Sequence, residues 1–387
     1  MRPTDAVNCP SEGARSPFAA YGLPDAPGTE EFWSAVGAAG LPASVPAGEG
    51  DDDGGHDGHD GDGWRTLFLW RGSPADVVFE SWSGPVPLRR RAGTDCWYAE
   101  VRMPERLRVT YWFRAGGAAY ADPFNPVGAG GDRSIAATPD SPAQPYWPDL
   151  GPDAVLPLPR ARIRWAAAGT GGRRTVRLHP VAGGGPVVLL LDGDDWLYLH
   201  PAMTAFDAAA AAGAVPPVTL VFLPAKDREA EFACGPRLWE AVRDELLPLV
   251  AESGVPADPD RLVVAGQSLG GLSAVYAALE FPELVSRVAC QSGSFWWTPG
   301  APGSADPLGG PVGGSVADRL RERPDLSGLR VAFDVGEHET RMLPHCALTE
   351  TLAERAGAAV RVSRSASAHD RAGWRHALLR DVAWALG

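Results

Sequence analysis

The sequence predicts an α/β protein: a mostly parallel sheet with helices on both faces fills the C-terminal half, and an all-β sandwich precedes it. Two observations carry this prediction. Beyond about residue 170, near-continuous apolar runs alternate with helical patterns, as strands buried on both faces require. Between residues 64 and 116, short runs instead alternate aromatic or β-branched residues with polar ones. Gly, Pro and Asp separate these runs at intervals of about ten residues, the texture of an antiparallel sandwich.

Taken in chain order, residues 1–48 hold one short amphipathic candidate helix, from Glu30 to Ala39. The segment GEGDDDGGHDGHDGDG (48–63) has nothing apolar to bury and reads as a disordered, solvated insertion. Its His56, His59 and aspartates could hold a divalent cation weakly, but low-complexity composition favours the plainer reading. The sandwich strands are WRTLFLWRG (64–72), DVVFESWSG (76–84), CWYAEVRM (96–103) and RVTYWFRAG (108–116). The Pro-rich segment 138–160 reads as a linker, giving one domain over 1–150 and a second over 160–387. In the second, strands are expected at 174–181, 186–191, 217–223, 261–266, 286–292, 329–335 and 358–364, and helices at 236–252, 270–280, 346–356 and 374–386.

Bulk properties bound the function. A chain of 387 residues is too long for one compact core. A net charge of −13 argues against nucleic acid or an anionic membrane as partner. No stretch approaches the roughly 18 apolar residues that span a bilayer. The segment MRPTDAVNCPSEGARSPF lacks an apolar leader core, and the five cysteines are scattered without a CxxC pair, so a cytoplasmic location is expected. No metal set or cofactor motif is expected, and oligomeric state is not legible.

The chemistry concentrates at Gly266-Gln267-Ser268-Leu269-Gly270, where the strand RLVVAG runs directly into a helix. G-x-S-x-G in this strand–turn–helix setting is the nucleophile turn of an α/β-hydrolase. Glycines are expected because side chains at 266 and 270 would collide with the neighbouring strand and helix. The helix N-terminus favours negative charge at Ser268. In this fold the acid and then the histidine follow the serine. His369, on the loop after the last strand, is the expected base. His376 lies inside the final helix, while His338 and His345 lie in the acid loop or at the start of the helix after it. The acid follows LRVAFDV, which offers Asp334, Glu337 and Glu339. Asp334 lies in the strand, where burial demands a partner, and Glu339 is preferred; the competing reading pairs Glu339 with Arg341. The backbone N–H groups of Leu269 and Asp194 are expected to form the oxyanion hole, with Gly193 allowing the turn in DGDDW.

Further motifs carry a resemblance: LLLDGDDW (189–196), DREAEF (227–232), LWEAVRDELLP (238–248), AGQSLGGLSAVYAALEFPE (265–283), QSGSFWW (291–297), VGEHE (335–339) and AHDRAGWRHAL (368–378). TLFLWRG (66–72), GTDCWYAE (93–100) and DPFNP (122–126) match in the first half. On these residues the chain resembles the enterochelin (enterobactin) esterases, cytoplasmic enzymes that cleave the trilactone of ferric tris-catecholate siderophores. The match runs from about Phe32 to the C-terminus, with one departure just before the histidine, where Ser367-Ala368 replace the family's usual glycines. The resemblance implies an immunoglobulin-like first domain, catalysis by Ser268 and His369 with Glu339, and Arg228, Trp296 and Trp297 close to the ligand. For both tryptophans packing is the competing role.

A ferric tris-catecholate is an aromatic trianion, so arginines such as Arg228 and Arg341 and indole faces suit it. Iron would enter only as part of an iron-loaded substrate. The rival readings are an esterase of the same fold acting on a feruloyl or carbohydrate ester, and a carbohydrate-binding or scaffold protein built on the first domain.

Overall fold

The computed structural model describes residues 17–48, 63–151, 154–166, 172–182, 184–256, 258–300, 306, 308–323 and 325–387. The Asp/Gly/His insertion from 49 to 62, including His56 and His59, lies outside the described residues. The chain forms two compact units, Met1–Ala143 with Asp149–Ala154, and Gln144–Pro148 with Val155–Gly387. The Pro-rich segment 138–160 contributes residues to both units. Its apolar residues explain this: Leu150 is buried and bridges to Gly128 in the first unit, whereas buried Trp147 packs on Trp196 at 6.0 Å in the second. Among the described residues no helix is long and apolar enough to cross a membrane.

The first unit contains helix α1 (Glu30–Ala39) and strands β1 (Ala43–Pro46), β2 (Trp64–Arg71), β3 (Val77–Ser81), β4 (Gly84–Pro87), β5 (Arg89–Arg90), β6 (Cys96–Met103), β7 (Arg108–Ala115), β8 (Ala118–Tyr120), β9 (Gly128–Gly130) and β10 (Arg133–Ala137). Thr29 caps α1 by accepting from the Phe32 N–H at 3.2 Å, and Glu30 and Glu31 complement the dipole. Two antiparallel sheets result, one ordered β1-β2-β6-β5 and the other β4-β3-β7-β10-β9 with β8 on β7. Strand β2 is buried on both faces because its side chains alternate. Phe68 meets Phe79 and Tyr111 of the other sheet at 4.4 and 5.0 Å, while Leu67 and Leu69 pack with Phe32 and Val36 of α1.

The second unit is built on one eight-stranded sheet. Its elements are β11 (Ala161–Ala166), β12 (Arg173–His179), β13 (Val187–Leu191), α2 (Gly193–Tyr198), α3 (Ala202–Ala211), β14 (Thr219–Leu223), α4 (Arg228–Phe232), α5 (Pro236–Ala241), α6 (Leu247–Glu252), β15 (Leu262–Gln267), α7 (Leu269–Glu280), β16 (Arg287–Gln291), α8 (Ser315–Glu322), β17 (Arg330–Gly336), α9 (Leu343–Arg355), β18 (Ala359–Ser365) and α10 (Arg371–Leu386). The strand order is β11-β12-β14-β13-β15-β16-β17-β18, antiparallel from β11 to β14 and parallel thereafter. Alternate residues feed two cores: Val187, Leu189 and Leu191 face one side, Val188 and Leu190 the other. At about 1.5–3 kcal/mol per fully buried aliphatic side chain, both helical layers are needed to cover such strands. The helical stretch from 236 to 252 carries a π-turn at Val242–Leu246, which ends two residues before Pro248, a residue that cannot donate the i→i−4 bond.

Candidate active site

Strand β15 ends at Gln267 and α7 begins at Leu269, leaving Ser268 alone on the turn with φ 55° and ψ −119°. That conformation strains a residue carrying a Cβ, and it lifts Oγ clear of the sheet's carboxyl edge. The turn is tied down on both sides: Ser268 N–H donates to the Gln291 carbonyl and Ser294 N–H donates to the Ser268 carbonyl, both at 3.0 Å. A Cβ on Gly266 would overlap the backbone of Gly270 and Gly271, as the sequence led us to expect. Gly270 corrects that expectation, since a Cβ there meets Leu191 Cβ at an ordinary 3.5 Å. The second crowded glycine is Gly271, whose Cβ would stand 2.8 Å from Cys290 Sγ.

His369 and Glu339 converge on this turn from the loops after β18 and β17. His369 Nε2 lies 2.9 Å from Ser268 Oγ, and Nδ1 lies 2.6 Å from Glu339 Oε2. The other carboxylate oxygen of Glu339 accepts from Ser292 Oγ at 2.5 Å and from Gly336 N–H at 2.9 Å. Trp374, in the first turn of α10, donates its indole N–H to Ser292 Oγ at 2.8 Å and meets the His369 ring edge-on at 4.8 Å. Glu339 is buried, whereas His369 is exposed and reachable.

The remaining candidates fall elsewhere. Arg341 pairs with Asp306, so the alternative pairing with Glu339 does not occur. Asp334 is buried in β17 and accepts from Ser365 Oγ, Ser363 Oγ and Arg380 Nη2 at 2.6, 2.8 and 3.1 Å. Burial pushes its carboxyl pKa upward. His345 is buried in α9, its Nδ1 accepting from Gly313 N–H at 3.1 Å, and His376 lies within α10.

The loop after β13 lies beside the Ser268 turn. Leu269 and Asp194, at the first turns of α7 and α2, carry helix-terminal N–H groups that have no acceptor within their own helices. The backbone reversal here is made by Asp192, left-handed at φ 52°, and not by Gly193 as the sequence suggested. Gly193 is needed for a different reason: a Cβ on it would strike the backbone of Phe222 and Leu223 in β14. Asp192 tolerates the left-handed region, and its buried carboxylate is held by Arg228, whose Nε and Nη2 donate at 2.9 and 2.8 Å. Arg228 Nη2 also reaches the Gln267 carbonyl at 3.2 Å, joining this loop to the residue before Ser268. Arg371 adds contacts to Asp195 at 2.5 Å and Asp192 at 3.5 Å. Arg371, Trp374, Ser292 and Ser294 were not singled out from the sequence, although each lies inside a motif quoted above. Trp296 is part-exposed at the edge of the core, whereas Trp297 is only 9% exposed and belongs to it.

A serine on a strand-to-helix turn, bonded to a histidine that is itself bonded to a carboxylate, is the arrangement of hydrolases with a serine nucleophile. The Esterase family pattern matches residues 167–385, and the chain belongs to that family. An iron(III) enterobactin esterase of Dickeya dadantii (strain 3937) is 32% identical over 289 residues, covering 60% of this chain and 66% of the relative. One from Escherichia coli (strain K12) is 30% identical over 303 residues, covering 67% and 72%. The enterobactin esterase of Shigella flexneri, solved in the presence of enterobactin, superimposes with a TM-score of 0.74 at 25% identity over 92% of this chain and 98% of that one.

Proposed function

We propose that this chain is a serine esterase that opens the ester bonds of a catecholate siderophore trilactone of the enterobactin kind. The observation that carries this reading is the hydrogen-bonded line Ser268–His369–Glu339, at 2.9 and 2.6 Å. His369 takes the Ser268 proton as Oγ attacks an ester carbonyl, and Glu339 holds the imidazole so that Nε2 faces the serine. The N–H groups of Leu269 and Asp194 receive the oxyanion. Water activated by His369 then releases a catechoyl-serine acid. The names of the two relatives and of the solved structure support the substrate class.

The strand order of the second unit supports an α/β-hydrolase arrangement, and the two antiparallel sheets of the first support an immunoglobulin-like sandwich. Iron enters as part of the substrate, the chemistry requires no cofactor, and the reaction belongs in the cytoplasm. Part-exposed Trp296, with Arg228 and Arg341, suits an aromatic trianion, whereas Trp297 is taken up by core packing.

Purified protein given iron-loaded and iron-free trilactone, with products separated by chromatography, tests the reading. Linear or monomeric catechoyl-serine should appear with the native chain and be absent with Ser268→Ala. Hydrolysis by the alanine variant at the native rate would sink it.

A further inference from the structure

Ser294 lies in the loop after β16, only 3% exposed, with its hydroxyl oxygen 3.2 Å from Ser268 Oγ. The direction of that hydrogen bond follows from its neighbours. In the line proposed above, a carboxylate only accepts, so His369 Nδ1 carries the ring proton toward Glu339 and Nε2 is left as an acceptor. Ser268 has one proton, and it goes to Nε2 at 2.9 Å. Nothing remains for Ser268 to donate to Ser294. Ser294 must be the donor and Ser268 Oγ the acceptor. The nucleophile thus gives one hydrogen bond, receives one, and keeps one lone pair for the carbonyl carbon.

We infer that Ser294 is a further catalytic residue, a fixed hydroxyl donor that stabilises negative charge on Ser268 Oγ whenever that atom attacks or departs. In acylation the Ser268 O–H bond breaks and its proton passes to Nε2. The Oγ lone pair forms the bond to carbon, and the carbonyl π pair moves onto the carbonyl oxygen. On collapse that pair re-forms the double bond, and the alcohol leaves with the proton from Nε2. In deacylation water attacks, its proton passes to Nε2, and Ser268 Oγ is the leaving group that takes the proton back. Oγ carries partial negative charge in both passages, and a neutral hydrogen bond to it becomes charge-assisted at those moments. The Ser294 proton never leaves its own oxygen. The main-chain bond from Ser294 N–H to the Ser268 carbonyl fixes the donor relative to the atom it serves.

This inference rests on Ser268 being the nucleophile, and the test separates the two. The rate of labelling by a small fluorophosphonate, and kcat and KM on a simple aryl ester, are measured for the native chain, Ser268→Ala, Ser294→Ala, Ser294→Val and Ser294→Thr, with melting temperatures. Thr and Val have the same shape and differ only in the hydroxyl. The expected result is a loss of about tenfold in labelling rate and in kcat for Ala and Val at unchanged KM, with Thr within about threefold of native. Labelling and kcat at native levels in both Ala and Val would overturn the inference while leaving Ser268 in place. So would a rise in KM with native labelling, which is the mark of a substrate contact, or an equal loss in all three variants with lowered melting temperature. Labelling of Ser268→Ala at the native rate would instead overturn the nucleophile itself, and the inference with it.

Discussion

Trp374 and Ser292 are 82 positions apart and joined by one hydrogen bond, indole Nε1–H to Ser292 Oγ at 2.8 Å. Because an indole N–H can only donate, this contact decides where the Ser292 proton goes: to Glu339 Oε1, 2.5 Å away. Glu339 is left with its second oxygen facing His369. The tryptophan therefore orients the carboxylate through the serine and braces the imidazole through its own ring edge.

Replacing Ser292 by alanine should act on both rate and stability. Glu339 loses a donor and gains freedom to rotate, so kcat should fall about tenfold. The Trp374 N–H is left buried without an acceptor, at a cost of about 1–3 kcal/mol. Adding Trp374→Phe removes that stranded donor while keeping most of the ring. The double variant should recover stability in urea unfolding relative to Ser292→Ala and stay slow. Full recovery of kcat would show that Ser292 does not orient the acid.

The glycines around Ser268 should separate sharply. Gly266→Ala puts a methyl group into the Gly270–Gly271 backbone and displaces the turn. Loss of activity on the order of 100-fold is expected, since a displacement of about 1 Å at a reacting atom costs that much. Gly271→Ala must push aside Cys290 Sγ and should destabilise by about 1–3 kcal/mol. Gly270→Ala should stay within about twofold of native activity, because its Cβ finds only ordinary van der Waals contact. Ester turnover and thermal melts on the three variants check the order.

Arg228 offers a choice between two roles that kinetics can tell apart. Its guanidinium grips Asp192 through Nε and Nη2 and touches the Gln267 carbonyl, so its charge is already engaged. Arg228→Ala should lower stability by about 1–2 kcal/mol, less than for a fully buried pair because the guanidinium is part-exposed and Arg371 stands by. If holding the loop is its main task, kcat falls and Asp192→Asn in the same chain restores much of the stability. A rise in KM for an anionic trilactone, absent for a neutral aryl ester, would instead mark a direct substrate contact.

Much of the site is legible in the sequence because its signals are local. The run from RLVVAG through GQSLGG into an apolar helix marks Ser268 by itself, and His369 is marked by standing between the last strand and the last helix. What escaped depends on which strands are neighbours. Ser292 and Ser294 reach Glu339 and Ser268 because β16 lies between β15 and β17, an order that no local pattern displays. The Arg228–Asp192 pair spans 36 positions and needs α4 to pack beside the end of β13. Strand β11 escaped for another reason: its Arg162 and Arg164 lie on the exposed face, so only Ile163 and Trp165 signal burial.

The first unit should carry a pH dependence of its own. Asp122 is buried among Tyr111, Asn125 and Ser134, accepting from the Tyr111 hydroxyl at 2.7 Å and the Phe124 N–H at 2.8 Å. Burial is the larger influence and the hydrogen bonds only partly oppose it, so the carboxyl is pushed up to about 6. A carboxyl with a raised folded pKa binds its proton more tightly in the folded state. Its contribution is therefore fully present below the unfolded value near 3.8 and lost as pH rises through about 6. The difference of about two pKa units corresponds to roughly 3 kcal/mol at most. Asp122→Asn has no proton to exchange there, and its amide oxygen can still accept from Phe124 N–H. Urea unfolding followed from pH 4 to pH 8 should show the native chain losing stability relative to the asparagine variant between about 4 and 6, with the gap constant above about 7. Parallel curves across that whole range would show that Asp122 titrates alike in the folded and unfolded chain, and that its burial is offset by the groups bonded to it.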